Sequence, residues 1–251
     1  MKSILARAQR KRLENFATDH TLFAWDFDGT LAPIVANPAR AKLRAPTRRL
    51  LARLASTRPC AVISGRSLAD LVPRLAGLEL ELLVGNHGAE WHDTPVAAVT
   101  PATVRAWREH LAERIGHLPG IFVEDKGSSP AVHYRAARDP AAAARRVHAE
   151  SRDLHAVRLV PGKRVLNLVP AQAPHKGEAL VDACERLACD SAIFVGDDVT
   201  DEDVFAMKFP KKLKVLSVRV GRSVRSCAPY YVRGQDEVDE LLRQLIHFAE
   251  D

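Results

Sequence analysis

Two apolar runs, each ending in a cluster of acids, constrain this chain more than any other feature. The first, Phe23-Ala24-Trp25-Asp26-Phe27-Asp28-Gly29-Thr30-Leu31, delivers two aspartates one residue apart and then a glycine. The second, Ala192-Ile193-Phe194-Val195, leads into Gly196-Asp197-Asp198-Val199-Thr200-Asp201-Glu202. Short apolar runs of this kind read as buried strands, and two strand ends carrying acids are what a divalent-metal site on a parallel sheet requires. Strand alternation lets Asp26 point into a crevice, and Gly29 allows a close turn that swings Asp28 back toward it. Two carboxylates held that close repel unless a proton or a cation sits between them, and the cation that suits hard oxygens is Mg²⁺. Taken alone, Asp28-Gly29-Thr30 also reads as a surface turn; the second acidic strand end is what answers to it.

The segments between these two runs read as an α/β core interrupted by something else. Pro46 opens a helix over 47–55, and Cys60-Ala61-Val62-Ile63 is the next strand. It ends at Ser64-Gly65-Arg66, where a hydroxyl and free backbone N–H groups can take a phosphate oxygen, or where Ser64 simply caps the helix expected over 67–75. Arg66 is either a phosphate fork or an exposed arginine. A strand at 81–84 ends in Gly85-Asn86-His87-Gly88-Ala89-Glu90, a tight loop in which His87 either meets substrate or makes a local hydrogen bond. From about Pro95 the pattern becomes α-β-β-α-β-β: helices over 104–115 and 140–154, alternating strands at 121–124 and 131–135, then 157–160 and 165–169. That order describes an open-faced antiparallel sheet under two helices, a separate small unit. The core resumes at Lys176, which opens a helix to 187, followed by the second acidic strand, a short helix at 202–207, a strand at 213–220 and an amphipathic helix over 237–248.

Length and composition set outer limits. A chain of 251 residues with 47% hydrophobic content holds one large domain, or a core with a smaller partner. The basic start, residues 1–12, reads as a short solvated helix without the apolar stretch of a secretory signal. Four cysteines show no Cys-x-x-Cys spacing, so a reducing cytoplasm is the expected setting. The net charge of +6 raises nucleic acid as a partner, but the cations are scattered among 31 acids with few aromatics to stack bases. The expectation is an anionic small-molecule substrate, no nucleic acid, no membrane and a monomer.

Asp26-Phe27-Asp28-Gly29-Thr30, Ser64, Lys176 and Gly196-Asp197-Asp198 resemble, in order, the four motifs of the haloacid dehalogenase superfamily of phosphotransferases. The resemblance implies a Rossmann-like parallel-sheet core, residues 1–96 and 171–251, with an inserted α+β cap of C2B type, residues 97–170. It implies that Asp26 is the nucleophile and that Mg²⁺ is held by the Asp26 and Asp197 carboxylates with the main-chain carbonyl of Asp28. Asp28 then serves as general acid and base, Lys176 and Ser64 hold phosphoryl oxygens, and Asp198 and Asp201 orient water or Lys176. Within the superfamily the chain is similar to the trehalose-6-phosphate phosphatase family, through Ile63-Ser64-Gly65-Arg66, the 85–90 loop, Glu124-Asp125-Lys126-Gly127-Ser128, His133-Tyr134-Arg135 and the second acidic motif. That likeness implies substrate contacts from Gly65, Arg66, Asn86, His87, Glu124, Lys126, His133 and Asn167. It departs from the family at Asn167, where a glutamate is usual, so sugar preference is left open to sucrose or mannosyl phosphates. A phosphomutase and a non-catalytic regulatory protein are the remaining alternatives.

Overall fold

The computed structural model describes residues 1–35, 37–92 and 100–250. Its strands are β1 (Lys2–Ser3), β2 (Thr21–Trp25), β3 (Cys60–Ile63), β4 (Leu82–Gly85), β5 (Glu90–Trp91), β6 (Phe122–Asp125), β7 (Pro130–His133), β8 (Val157–Gly162), β9 (Val165–Pro170), β10 (Ser191–Gly196), β11 (Lys214–Val220) and β12 (Tyr230–Val232). Its helices are α1 (Arg10–Phe16), α2 (Ala45–Ala55), α3 (Leu68–Leu75), α4 (Pro101–Ile115), α5 (Pro140–Ser151), α6 (Lys176–Arg186), α7 (Glu202–Phe205) and α8 (Gln235–Glu250).

The strands form two sheets. The larger runs β1-β12-β11-β10-β2-β3-β4-β5, parallel throughout except for β5. Strand β2 lies at its centre and is buried on both faces. Its alternation sends Phe23 and Trp25 to one side, where they pack with Leu51 and Leu54 of α2 and Leu241, Leu242 and Leu245 of α8. Leu22 and Ala24 go to the other side, against Leu180 and Ala183 of α6. Strand β10 repeats the division, with Ile193 and Val195 on the first side and Ala192 and Phe194 on the second. A strand sandwiched between helices needs apolar residues at every position, which explains the uninterrupted character of both runs.

The smaller sheet, β6-β7-β9-β8, is antiparallel. Helices α4 and α5 cover one face, and their own core joins Trp107, Leu111, Ile115 and Val147 to Val132, Leu166 and Leu168. The same two-residue period that buries Leu166 and Leu168 turns Val165 and Asn167 to the opposite face. The expected α-β-β-α-β-β order is therefore present between β5 and α6, although the anticipated junction at 96/97 lies outside the described residues.

Three local readings need correction. The N-terminal twelve residues are not one basic helix: Lys2–Ser3 adds a parallel strand beside β12, Ile4 is fully buried, and the helix spans Arg10–Phe16. Adding backbone hydrogen bonds to a sheet edge outweighs a weak helical pattern in so short a segment. The loop after β4 also contains a short antiparallel strand, β5, which pairs Val84 with Trp91 and Gly85 with Glu90. Strand β12 was not anticipated, because three residues carry too little periodicity to register.

Candidate active site

Parallel strands present their C-terminal ends at one edge, and β2, β3, β4 and β10 bring Asp26, Ser64, Asn86 and Asp197 there together. Asp26 continues β2, with its N–H donating to the Val195 carbonyl of β10 at 2.8 Å. Lys176, at the first turn of α6, is 1% exposed and places its Nζ 2.8 Å from Asp26 Oδ1 and 2.8 Å from Asp201 Oδ1. The other Asp201 oxygen accepts the Asp198 N–H at 2.8 Å. Asp201 thus anchors both the lysine and the turn after β10. Burial pulls the Lys176 ammonium down, but Asp201 and Asp26 more than offset this and hold it charged.

Carboxylate oxygens of Asp26, Asp197 and Asp201 all lie within 4.8 Å of one another. Burial, with the neighbouring Asp201 and Asp197 charges, pushes the Asp26 carboxyl well above the usual range, against the pull of Lys176. Asp197 is pushed up to about 6, chiefly by burial, even though Lys163 Nζ donates to its Oδ2 at 2.7 Å. Its other oxygen, Oδ1, is buried without a hydrogen-bond partner. An orphaned acceptor beside a second carboxylate, all hard oxygen, suits a small divalent cation such as Mg²⁺. The cradle is also shaped by Gly29, whose φ of +83° suits glycine and where a Cβ would come within 2.2 Å of Asp197 Oδ2.

The Asp28 carboxylate, which the spacing suggested would turn toward Asp26, is held by Arg66. The grip is bidentate, Nε to Oδ2 at 2.6 Å and Nη2 to Oδ1 at 2.7 Å, and the carboxylate contributes no side-chain oxygen to the three-acid group. The planar guanidinium matches a carboxylate edge to edge, so the pair forms in preference to two repelling acids. Arg66 is accordingly neither an exposed arginine nor a free fork. Its side chain is 10% exposed and also engages Asp70 and the Pro38 carbonyl. Ser64 is buried and its Oγ accepts the Arg66 N–H at 3.2 Å. It is not the helix cap: α3 begins after Ser67, and its Leu68 N–H is satisfied by Glu90 Oε2 at 2.7 Å.

The face of the small sheet turned away from its helices closes a cleft of about 300 Å³ over this edge. Asp28, Gly65, Arg66, His87, Asp197 and Asp198 line it from the core, and Glu124, Lys126, His133, Lys163 and Asn167 from the smaller sheet. Asp26 and Lys176 lie beneath the floor, at 4% and 1% exposure, rather than on the wall. Glu124 Oε2 is 2.7 Å from His133 Nε2, and this bond, with Lys126 nearby, holds its carboxyl below the ordinary value. Lys126 reaches the Gly65 carbonyl at 3.2 Å and Asn167 Oδ1 at 2.9 Å, and Asn167 in turn donates to the Val160 carbonyl at 3.2 Å. Asn86 is committed to the joint between the sheets: it donates to Glu90 Oε1 and Ser128 Oγ and accepts from Ser129 Oγ at 3.0 Å. His87, at φ 60°, packs its ring where a Gly65 Cβ would be 2.4 Å away. Burial first, and then Lys176, Lys126 and Arg158, keep it neutral, with both ring nitrogens unpartnered.

Sequence reasoning missed several of the residues that hold this edge in shape. Arg219 of β11 binds the Asp197 carbonyl at 2.5 Å, the Asp198 carbonyl at 3.2 Å and Glu202 at 3.1 Å. An arginine near the C-terminal end of an apolar strand was the available signal. Gln235, at the start of α8, donates to the carbonyls of Gly29 and Thr30 at 3.0 and 2.9 Å, which nothing local in the sequence announces. Lys163, between the strands expected at 157–160 and 165–169, carried no signal of its own in the sequence.

The sheet order and the acids at its edge define a haloacid-dehalogenase type of fold. A haloacid dehalogenase-like hydrolase from Bacteroides thetaiotaomicron superposes with a TM-score of 0.66 at 17% identity, covering 90% of this chain and 99% of that one. Closer in sequence, the C-terminal domain of trehalose-6-phosphate phosphatase from C. albicans gives a TM-score of 0.79 at 25% identity, over 95% and 97% of the two chains. The trehalose-phosphatase family model matches residues 24–236, and the chain belongs to that family. The trehalose-phosphate phosphatase of Mycobacterium tuberculosis is 33% identical over 239 residues, 88% of this chain. The chain spans 61% of that relative's length.

Proposed function

We propose that this chain is a Mg²⁺-dependent phosphatase that hydrolyses a sugar phosphate, trehalose 6-phosphate, through an aspartyl phosphate on Asp26. The observation that carries the reading is the buried Asp26 carboxylate, braced by Lys176 and set beside an Asp197 oxygen that has no protein partner. Family membership and the cleft above it support the substrate class.

A phosphate monoester resists attack because its oxygens repel an anionic nucleophile, so alignment and charge neutralisation account for most of the catalysis. Asp26 and Asp197 carboxylates, with the Asp28 main-chain carbonyl, would hold Mg²⁺, which when bound neutralises the nucleophile and the phosphoryl oxygens. Lys176 keeps Asp26 in one rotamer and adds positive charge below the phosphoryl position. Ser64 supplies a hydroxyl at the same edge. Asp26 attacks phosphorus in line with the leaving sugar oxygen. Asp28 gives that oxygen a proton and afterwards takes one from the water that cleaves the aspartyl phosphate. Arg66 fixes the direction in which Asp28 faces.

Residues 97–170 act in this reading as a lid that excludes water and presents Glu124, Lys126, His133 and Asn167 to the sugar hydroxyls. Each desolvated hydroxyl needs a partner, and short charged side chains on a closed cleft provide them. The test is a phosphate-release screen across trehalose, sucrose, mannosyl and glucose phosphates, with and without Mg²⁺. Release from trehalose 6-phosphate well above the others, and only with the metal, is the expected result. A preference for another sugar phosphate would move the substrate within the class, and phosphate returned to the sugar would indicate a mutase. No release from any of them would end the reading.

A further inference from the structure

Lys163 sits in the turn between β8 and β9, on the inserted unit, yet its ammonium bonds Asp197 Oδ2 on the core at 2.7 Å. A turn lysine whose side chain remains 48% exposed is well hydrated without such a partner. Asp197 gains more from the contact, because its side chain is 8% exposed and lies among other acids. The ammonium thus occupies one side of the carboxylate whose other oxygen is unpartnered, and it does so from the part of the molecule that closes the cleft. The other ties described above, Lys126 to the Gly65 carbonyl and Ser128 to Asn86 and the Glu90 carboxylate, do not reach the three converging acids.

A divalent cation held by Asp197 would set a second positive charge beside this ammonium, and like charges repel. We propose that Lys163 is a positioning residue that shields Asp197 until the metal arrives, so that metal loading and the Lys163–Asp197 pair exclude one another. Loading then frees the tip of the inserted unit from the core edge, and the released ammonium is available to the next anion to enter, the phosphoryl group. The inference rests on the metal reading above. By linkage, whatever favours the closed pair weakens metal binding by the same factor.

Titration calorimetry of Mg²⁺ into the full chain reads this without turnover. Lys163→Met keeps the aliphatic stem and removes the charge, and it is expected to bind Mg²⁺ at least about fivefold more tightly than wild type, the low end of coupling between sites. Lys163→Arg should stay near the wild-type affinity, and Lys163→Gln serves if circular dichroism shows the methionine variant misfolded. Arg164→Met removes the adjacent charge, which does not bond Asp197, and should change little. Equal affinities for wild type and Lys163→Met, or an equal gain in Arg164→Met, would overturn the proposal. Binding to none of these proteins would sink the metal reading, and this one with it.

Discussion

Single side chains in this site differ in what their surroundings ask of them. Asp197 is an acid kept partly against its will: its folded value of about 6 stands above the 3.8 of an ordinary aspartate because burial outweighs Lys163. The folded chain therefore binds more protons at this position than the unfolded chain between these two values. The stability it contributes is present in full below pH of about 4 and is lost as the pH rises through about 6. In chelator, Asp197→Asn should gain melting temperature relative to wild type across that window, since a neutral amide has no charge to desolvate. A pH-independent gap between the two proteins would contradict this. Glu124 has the opposite history, with a carboxyl held down first by His133. Its replacement by alanine is expected to raise KM for trehalose 6-phosphate by ~10–100-fold, the loss of one or so charged hydrogen bonds at about 1.5–3 kcal/mol each. KM for p-nitrophenyl phosphate, which has no sugar to contact, should hardly move; equal effects on both substrates would remove Glu124 from the sugar site.

Elements were legible in proportion to how strongly burial patterned them. Strands β2 and β10 announced themselves because both faces are covered, and the acids at their ends pointed to the edge where Asp26 and Asp197 meet. Helix α8 is legible for the complementary reason, an apolar stripe of Val238, Leu241, Leu242 and Leu245 against the core. The partners of Asp28 and Asn86 were not legible. Arg66 sits 38 positions from Asp28 and Ser128 sits 42 from Asn86, so these bonds depend on how β3 is ordered beside β2 and how the inserted unit docks. The inserted unit has its own core, separate from the two that sandwich the large sheet. Leu168→Ala in β9 should cost about 2–5 kcal/mol locally, the usual range for a fully buried leucine. Hydrogen exchange should then quicken in β6 to β9 and α4 to α5 while β2 and β10 stay protected. Uniform loss of protection would mean that the two units unfold as one.

At the scale of the whole molecule, two sheets of different design divide the work. The parallel sheet gathers acids from distant points of the chain at one edge, and the antiparallel sheet lays a polar face over them. The cleft between the two sheets carries both signs, with Arg66 paired to Asp28 and Lys163 to Asp197, so the net charge of +6 is not concentrated there. Among the described residues no helix is long and apolar enough to cross a membrane. Asn167, where a glutamate was expected, also steadies Lys126 against Gly65, so the altered position bears on the geometry of the cleft as much as on its charge. All of this converges on one atom pair, Asp26 with Lys176, below the floor of the cleft. Phosphate release from trehalose 6-phosphate by Asp26→Asn, with Mg²⁺ present and the circular dichroism spectrum compared with wild type, tests that most directly. The expected result is an unchanged spectrum with turnover reduced by ~1,000-fold or more, as when a nucleophile is removed; substantial turnover from the folded variant would contradict the assignment.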